Sequence, residues 1–107
     1  TAPLYKTTLQ AMAHSALGIM NLKVNDDPGA ERELKLAAEL NVTQPDPYIW
    51  YHLALAQDHQ KKYPEALASV EKALKYASPT SELTPLATAE RERLAKLSGS
   101  QQNNQPN

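Results

Sequence analysis

Residues 47–78 read PYIWYHLALAQDHQKKYPEALASVEKALKYAS. Pro47 and Pro64 each open a run of Ala, Leu and charged residues, and Pro suits the first turn of a helix because no N–H is needed there. The two runs predict helices over about 47–60 and 64–77, joined by a turn that ends at Tyr63. Along them small residues (Ala54, Ala66, Ala73) alternate with large apolar ones (Trp50, Leu53, Val70, Leu74, Tyr76). Small side chains let two helix axes approach, and large ones fill the space between the close contacts. An antiparallel helix pair is therefore expected, with Trp50 as its largest single contributor and a cost of about 3 to 5 kcal/mol for Trp50→Ala.

A shift of 36 residues maps the preceding stretch onto this one. It brings His14 onto Trp50, Leu17 onto Leu53, Gly18 onto Ala54, Asp27 onto Tyr63, Pro28 onto Pro64, Ala30 onto Ala66, Leu34 onto Val70, Ala37 onto Ala73 and Leu40 onto Tyr76. A second shift carries Trp50 to Leu86 and Leu53 to Ala89, so a third copy begins and then stops. Such self-similarity belongs to a solenoid, in which one helix pair cannot bury its own face and stacks on the next.

The rest of the chain agrees. Its 107 residues fit one domain or part of one, and Ala and Leu supply 31 of them against five Val and Ile. That balance favours helix over strand. Further helices are expected over 4–24, 28–40 and 81–97. The first carries a stripe of Leu9, Met12, Ala13, Ala16, Leu17, Met20 and Val24. Asp27 reads as N-cap of the second, with Glu31 and Lys35 as an i,i+4 pair on its solvent side. The fifth sets Leu83, Leu86, Ala89, Leu94 and Leu97 against Glu90, Arg91, Glu92, Arg93 and Lys96, so it can cap the stack with one side and meet water with the other. At the opposite end nothing caps the first helix pair, which leaves either residues preceding Thr1 or a second copy of the chain to cover it. Thr1 in place of Met suggests a processed protein or a piece of a longer array. The polar end, 98–107, is expected to be disordered.

Charge and chemistry exclude several classes. Eleven Lys and Arg balance twelve Asp and Glu, and the cations are spread along the chain. Nucleic-acid binding and contact with anionic membranes both need clustered positive charge, so neither is expected. No Cys is present, which removes thiolate catalysis and Cys-ligated zinc. His52 and His59 share a helix face, but seven residues place them about 10 Å apart along the axis, too far for one metal. His14 reads as a packing residue. The three glycines are isolated, and Ser15 and Ser69 have no base at a motif spacing. Asp26 and Asp27 read as a turn and cap. No catalytic residue, metal site or cofactor is expected.

The 47–78 stretch resembles the tetratricopeptide repeat (TPR) family: Trp50, Leu53 and Ala54 in the first helix, Tyr63 at the turn, then Ala66, Val70, Ala73, Leu74 and Tyr76. Residues 11–43 form a degenerate unit that keeps Leu17, Gly18, Ala30, Leu34 and Ala37. The resemblance implies an all-α, short right-handed solenoid of five helices over 1–97: repeats 11–43 and 47–78 and a capping helix 81–97. It also implies a concave groove, lined by the first helix of each pair, that binds a peptide or partner helix. The corresponding positions are Met12, Ser15, Ile19, Leu22 and Lys23, then Tyr48, Tyr51, His52, Leu55 and His59, then Thr84 and Thr88. The subset that grips a peptide carboxylate carries Lys, Asn and Arg where Ser15, Ile19, Thr84 and Thr88 stand here, so an apolar segment or amphipathic helix is the expected ligand. Two alternatives stay open: a helix of the parent chain fills the groove, or the chain self-associates as a homodimer. A cytoplasmic location is expected, with a secreted or periplasmic one left open.

Overall fold

The computed structural model describes the backbone of residues 2–103 and the side chains of residues 6–99. Five helices follow one another: α1 (Ala2–Lys23), α2 (Asp27–Leu40), α3 (Pro47–His59), α4 (Tyr63–Tyr76) and α5 (Leu83–Asn103). Among the described residues there is no strand. Each helix packs chiefly on its neighbours in sequence, with slight contact between α1 and α3 and between α3 and α5. The result is an elongated stack of 52 × 31 × 25 Å, as the 36-residue repeat requires.

The repeat is literal at the turns. Asn25 and Lys61, 36 residues apart, are the two non-glycine residues with positive φ among the described residues, at 64° and 63°. Each ends its helix with the same hydrogen bonds: Asn25 N–H to Leu22 O (3.1 Å) and Asp26 N–H to Asn21 O (2.8 Å) in one, Lys61 N–H to Asp58 O (2.8 Å) and Lys62 N–H to Gln57 O (2.9 Å) in the other. A left-handed residue that closes the last turn in this way satisfies orphan carbonyls and reverses the chain. The N-caps differ. Asp26, not Asp27, caps α2: its carboxylate accepts from Gly29 N–H at 3.0 Å, and Asp27 and Pro28 occupy the first turn. Asp46 caps α3 by accepting from Tyr48 N–H at 2.9 Å.

Small residues sit where the axes meet. Ala30, Ala54 and Ala66 are fully buried. A Cβ on Gly18 would lie 2.6 Å from Leu34 Cγ, so α1 and α2 approach through the missing side chain. One cluster joins α2 to α3 through Leu34, Ala37, Ile49 and Leu53, and another joins α3, α4 and α5 through Ala54, Val70, Ala87 and Leu94. Trp50 is not at the centre of either. It is half-buried on the edge of the first cluster, with Lys72 Nζ 4.5 Å from its ring centroid, while Leu34, Val70, Leu83 and Leu94 are the large side chains removed from water.

Three amphipathic faces differ from their expected orientation. In α1 the stripe Leu9, Met12, Ala13, Ala16, Leu17, Met20 and Val24 points outward and is exposed, and α2 is met instead by Ala11, Gly18 and the half-buried His14, Ser15 and Leu22. Both faces of this helix are apolar or small, so periodicity alone could not tell inner from outer. In α5 the buried line is Leu83, Ala87, Leu94 and Ser98, whereas Leu86 and Ala89 are exposed. These two are the repeat equivalents of Trp50 and Leu53, and no described helix follows α5 to cover them. Glu31, expected on the solvent side, is buried. α5 also continues past Leu97 to Asn103; residues 104–107 of the expected tail lie outside the described residues.

Candidate functional site

The side of the stack built by α1, α3 and α5 carries the residues expected to form a groove. On α3 the buried set is Ile49, Leu53, Ala54, Ala56, Gln57 and Asp58, which leaves Tyr48, His52, Leu55 and His59 on one open arc. Tyr48 is 48% exposed; His52 and Leu55 are half-buried. The His52 ring is oriented from its own helix, with Nδ1 donating to the Tyr48 carbonyl at 2.8 Å. It also meets the Tyr51 ring edge-on, with centroids 5.8 Å apart. Tyr51 leans inward and packs on the Ala54, Val70 and Leu94 cluster. Its burial, and then the nearby Glu90 carboxylate, push the Tyr51 hydroxyl above its ordinary pKa.

On α1, Met12, Ser15 and Ile19 come together, with Ala16, Asp46 and Ile49, around a cavity of about 280 Å³ at the N-terminal end of α3. Two expected groove residues are engaged elsewhere. Leu22 packs into the cluster between α2 and α3. His59, though exposed, turns toward α2, where its Nδ1 lies 3.0 Å from Asp27 Oδ1. His14 is half-buried as a packing residue, with its Nδ1 3.0 Å from Glu33 Oε2. Among the described residues no three His, Asp or Glu side chains gather as they would around a metal ion.

The opposite side holds a larger cleft of about 480 Å³ between α2 and α4, which the sequence did not signal. Leu53 and Gln57 of α3 form its floor, Trp50 and Lys72 one wall, and Lys35, Glu39 and Glu65 its charged rim. Only the spacing between α2 and α4, set in three dimensions, creates it.

Beneath the cleft lies a polar network. Glu31 accepts from Lys62 Nζ (2.9 Å), Gln60 Nε2 (3.0 Å) and Gln57 Nε2 (3.2 Å), with Lys35 Nζ at 3.1 Å, and Ser69 Oγ donates to Gln57 Oε1 at 2.6 Å. Burial alone would raise the Glu31 pKa, but these four donors outweigh it and hold the carboxyl at about 2. At the same C-terminal end of α3, Arg93 of α5, itself exposed, binds Asp58 and reaches back to Glu90 at 3.2 Å, so it ties α5 to α3 from the solvent side. Burial raises the Glu90 pKa.

No described helix is long and apolar enough to cross a membrane. Residues 47–78 match the family model of the tetratricopeptide repeat. No curated protein and no solved structure matches the chain. The matched segment is the α3–α4 pair, and the two bonds that close its turn at Lys61 and Lys62 recur 36 residues earlier at Asn25 and Asp26. Repeats of this family generally mediate protein–protein interaction. With five helices packed in succession around that matched pair, the chain is a TPR-like helical-repeat protein.

Proposed function

We propose that the chain is a binding module that takes up an apolar peptide or an amphipathic helix on the face formed by α1 and α3, and that it has no catalysis of its own. The unit boundaries 11–43 and 47–78, with 81–97 as cap, are part of this reading. The observation that carries it is the open arc of Tyr48, His52 and Leu55 on α3, next to the cavity edged by Met12, Ser15 and Ile19. Aromatic and aliphatic side chains left uncovered on one side of a packed helix gain by excluding water with a partner. The arc carries no charged Asp, Glu, Lys or Arg, which suits an apolar ligand better than an ionic one.

The test is selection from a displayed library of amphipathic helical peptides against the full chain. Selected peptides should lose at least about tenfold in affinity, about 1.4 kcal/mol, when Tyr48→Ser and Leu55→Ser are introduced together. The thermal melt of that variant should stay within a few degrees of the parent. Binders that are indifferent to both positions and sensitive to Trp50→Ser would move the site to the cleft between α2 and α4 and overturn this reading.

A further inference from the structure

The charges around the α2–α4 cleft are unevenly committed. Lys35 is held by Glu31 at 3.1 Å. Lys72 has no carboxylate partner, and its ammonium lies 4.5 Å from the centroid of the Trp50 ring. Glu39 on the α2 wall and Glu65 on the α4 wall are exposed, and among the described residues neither carboxylate meets a cation or a hydrogen-bond donor. The polar groups of the floor are satisfied, since Ser69 donates to Gln57 and Gln57 to Glu31. What the cleft leaves open is an indole face that already attracts a cation, two unpaired carboxylates, and the apolar surface of Val42 and Ala68.

A second hollow of about 140 Å³ adjoins the cleft and shares Ala38, Val42, Trp50 and Lys72 with it. The Lys72 side chain is thus a wall common to both. It is exposed, and a cation–π contact reached by water is weak. Rotation of Lys72 off the indole joins the two hollows without moving a helix, and leaves Trp50 with Glu39 and Glu65 around an uncovered ring.

That combination calls for a cation on an apolar stem. A guanidinium suits it better than an ammonium, because its flat face stacks on an indole while its edge donates to a carboxylate, and water holds it less strongly. A ligand ammonium would merely replace the one that Lys72 already supplies. An anion is served worse, since it would meet two unpaired carboxylates and find Lys35 bound to Glu31.

We propose that the α2–α4 cleft is a binding site for an arginine side chain of a partner peptide, whose guanidinium takes the place of Lys72 on Trp50 and pairs with the rim carboxylates, while a neighbouring apolar residue of the peptide lies against Val42 and Ala68. Lys72 makes the site selective, because a ligand must hold the indole better than the chain's own ammonium does. The cleft lies across the stack from the α3 arc, so the proposal stands whether or not the groove reading holds.

Trp50 is the sole tryptophan of the chain, so its fluorescence reads the site directly. The full chain is titrated with acetyl-Leu-Arg-Leu-amide and with the citrulline counterpart, which keeps the shape of arginine and loses its charge. The arginine peptide should change the emission saturably and bind at least about tenfold more tightly than the citrulline peptide. Glu39→Gln and Glu65→Gln together should weaken it by a similar factor. Lys72→Ala, which clears the indole, should tighten it about threefold or more, whereas Lys96→Ala, an equal change of charge on α5, should leave it unaltered. These positions are all exposed, so the circular dichroism and thermal melt of each variant should match the parent. No saturable change up to about 5 mM peptide, equal binding of the two peptides, or a Lys72→Ala effect no larger than that of Lys96→Ala overturns the proposal.

Discussion

At the scale of the residue, size and position decide the energetics more than chemical type does. Trp50 has the bulk to dominate a core, yet it stands half-buried at the rim of the α2–α4 cleft under the Lys72 ammonium. Part of its surface is already in water in the native state, so Trp50→Ala should cost about 2 kcal/mol, from the partial burial and the cation–π contact. Leu34 is smaller but fully enclosed and presses against Gly18. Leu34→Ala should cost about 3 to 4 kcal/mol, because its cavity cannot collapse onto a backbone already in contact. Urea denaturation of the two variants settles the order, and a larger loss at Trp50 would restore it to the centre of the core. The small residues were legible in the sequence: Gly18, Ala30, Ala54 and Ala66 repeat at fixed positions, and only the absence of bulk explains that repetition. The burial of Trp50 was not legible, since a repeat position specifies a contact and not how completely neighbours close over it.

At the scale of the element, Glu31 is the clamp between three helices. It lies on α2 and takes hydrogen bonds from Gln57 of α3 and from Gln60 and Lys62 at the turn into α4. Its carboxyl is held at about 2 in the folded chain against 4.5 unfolded. The folded state therefore binds this proton less readily than the unfolded one. The stabilisation is complete above pH 4.5 and is lost as pH falls from 4.5 toward 2. A shift of this size corresponds to about 3 kcal/mol. Glu90 opposes it: a carboxyl raised by burial favours folding below its unfolded pKa and loses that contribution as pH rises through its folded value. Melting temperatures between pH 6 and pH 3 should fall for the parent and fall distinctly less for Glu31→Gln, which should itself cost about 2 to 3 kcal/mol at neutral pH. Parallel curves for the two proteins would remove Glu31 from this role. The helices themselves were readable from Pro placement and Ala and Leu content. The clamp was not, because a Glu–Lys pair four residues apart looks the same on a wet face as on a buried one until the next helix is placed against it. The same ambiguity hid the true inner faces of α1 and α5, and it explains why the α3 arc was legible as a candidate surface while the cleft between α2 and α4 was not.

At the scale of the whole molecule, stability is distributed along a line. Each of α2, α3 and α4 is packed on both sides by its neighbours in the stack, whereas α1 rests on α2 and α5 on α4, with only slight contact to α3. In a stack of this kind a terminal helix can open by breaking one interface, but an inner helix must break two. Amide hydrogen exchange in low denaturant should therefore rank the helices. The slowest amides, in α3 and the facing turns of α2 and α4, should report global unfolding, while those of α1 and α5 should open at a cost lower by about 2 kcal/mol. Uniform protection across all five helices would mean that the chain behaves as one closed core and not as a repeat array.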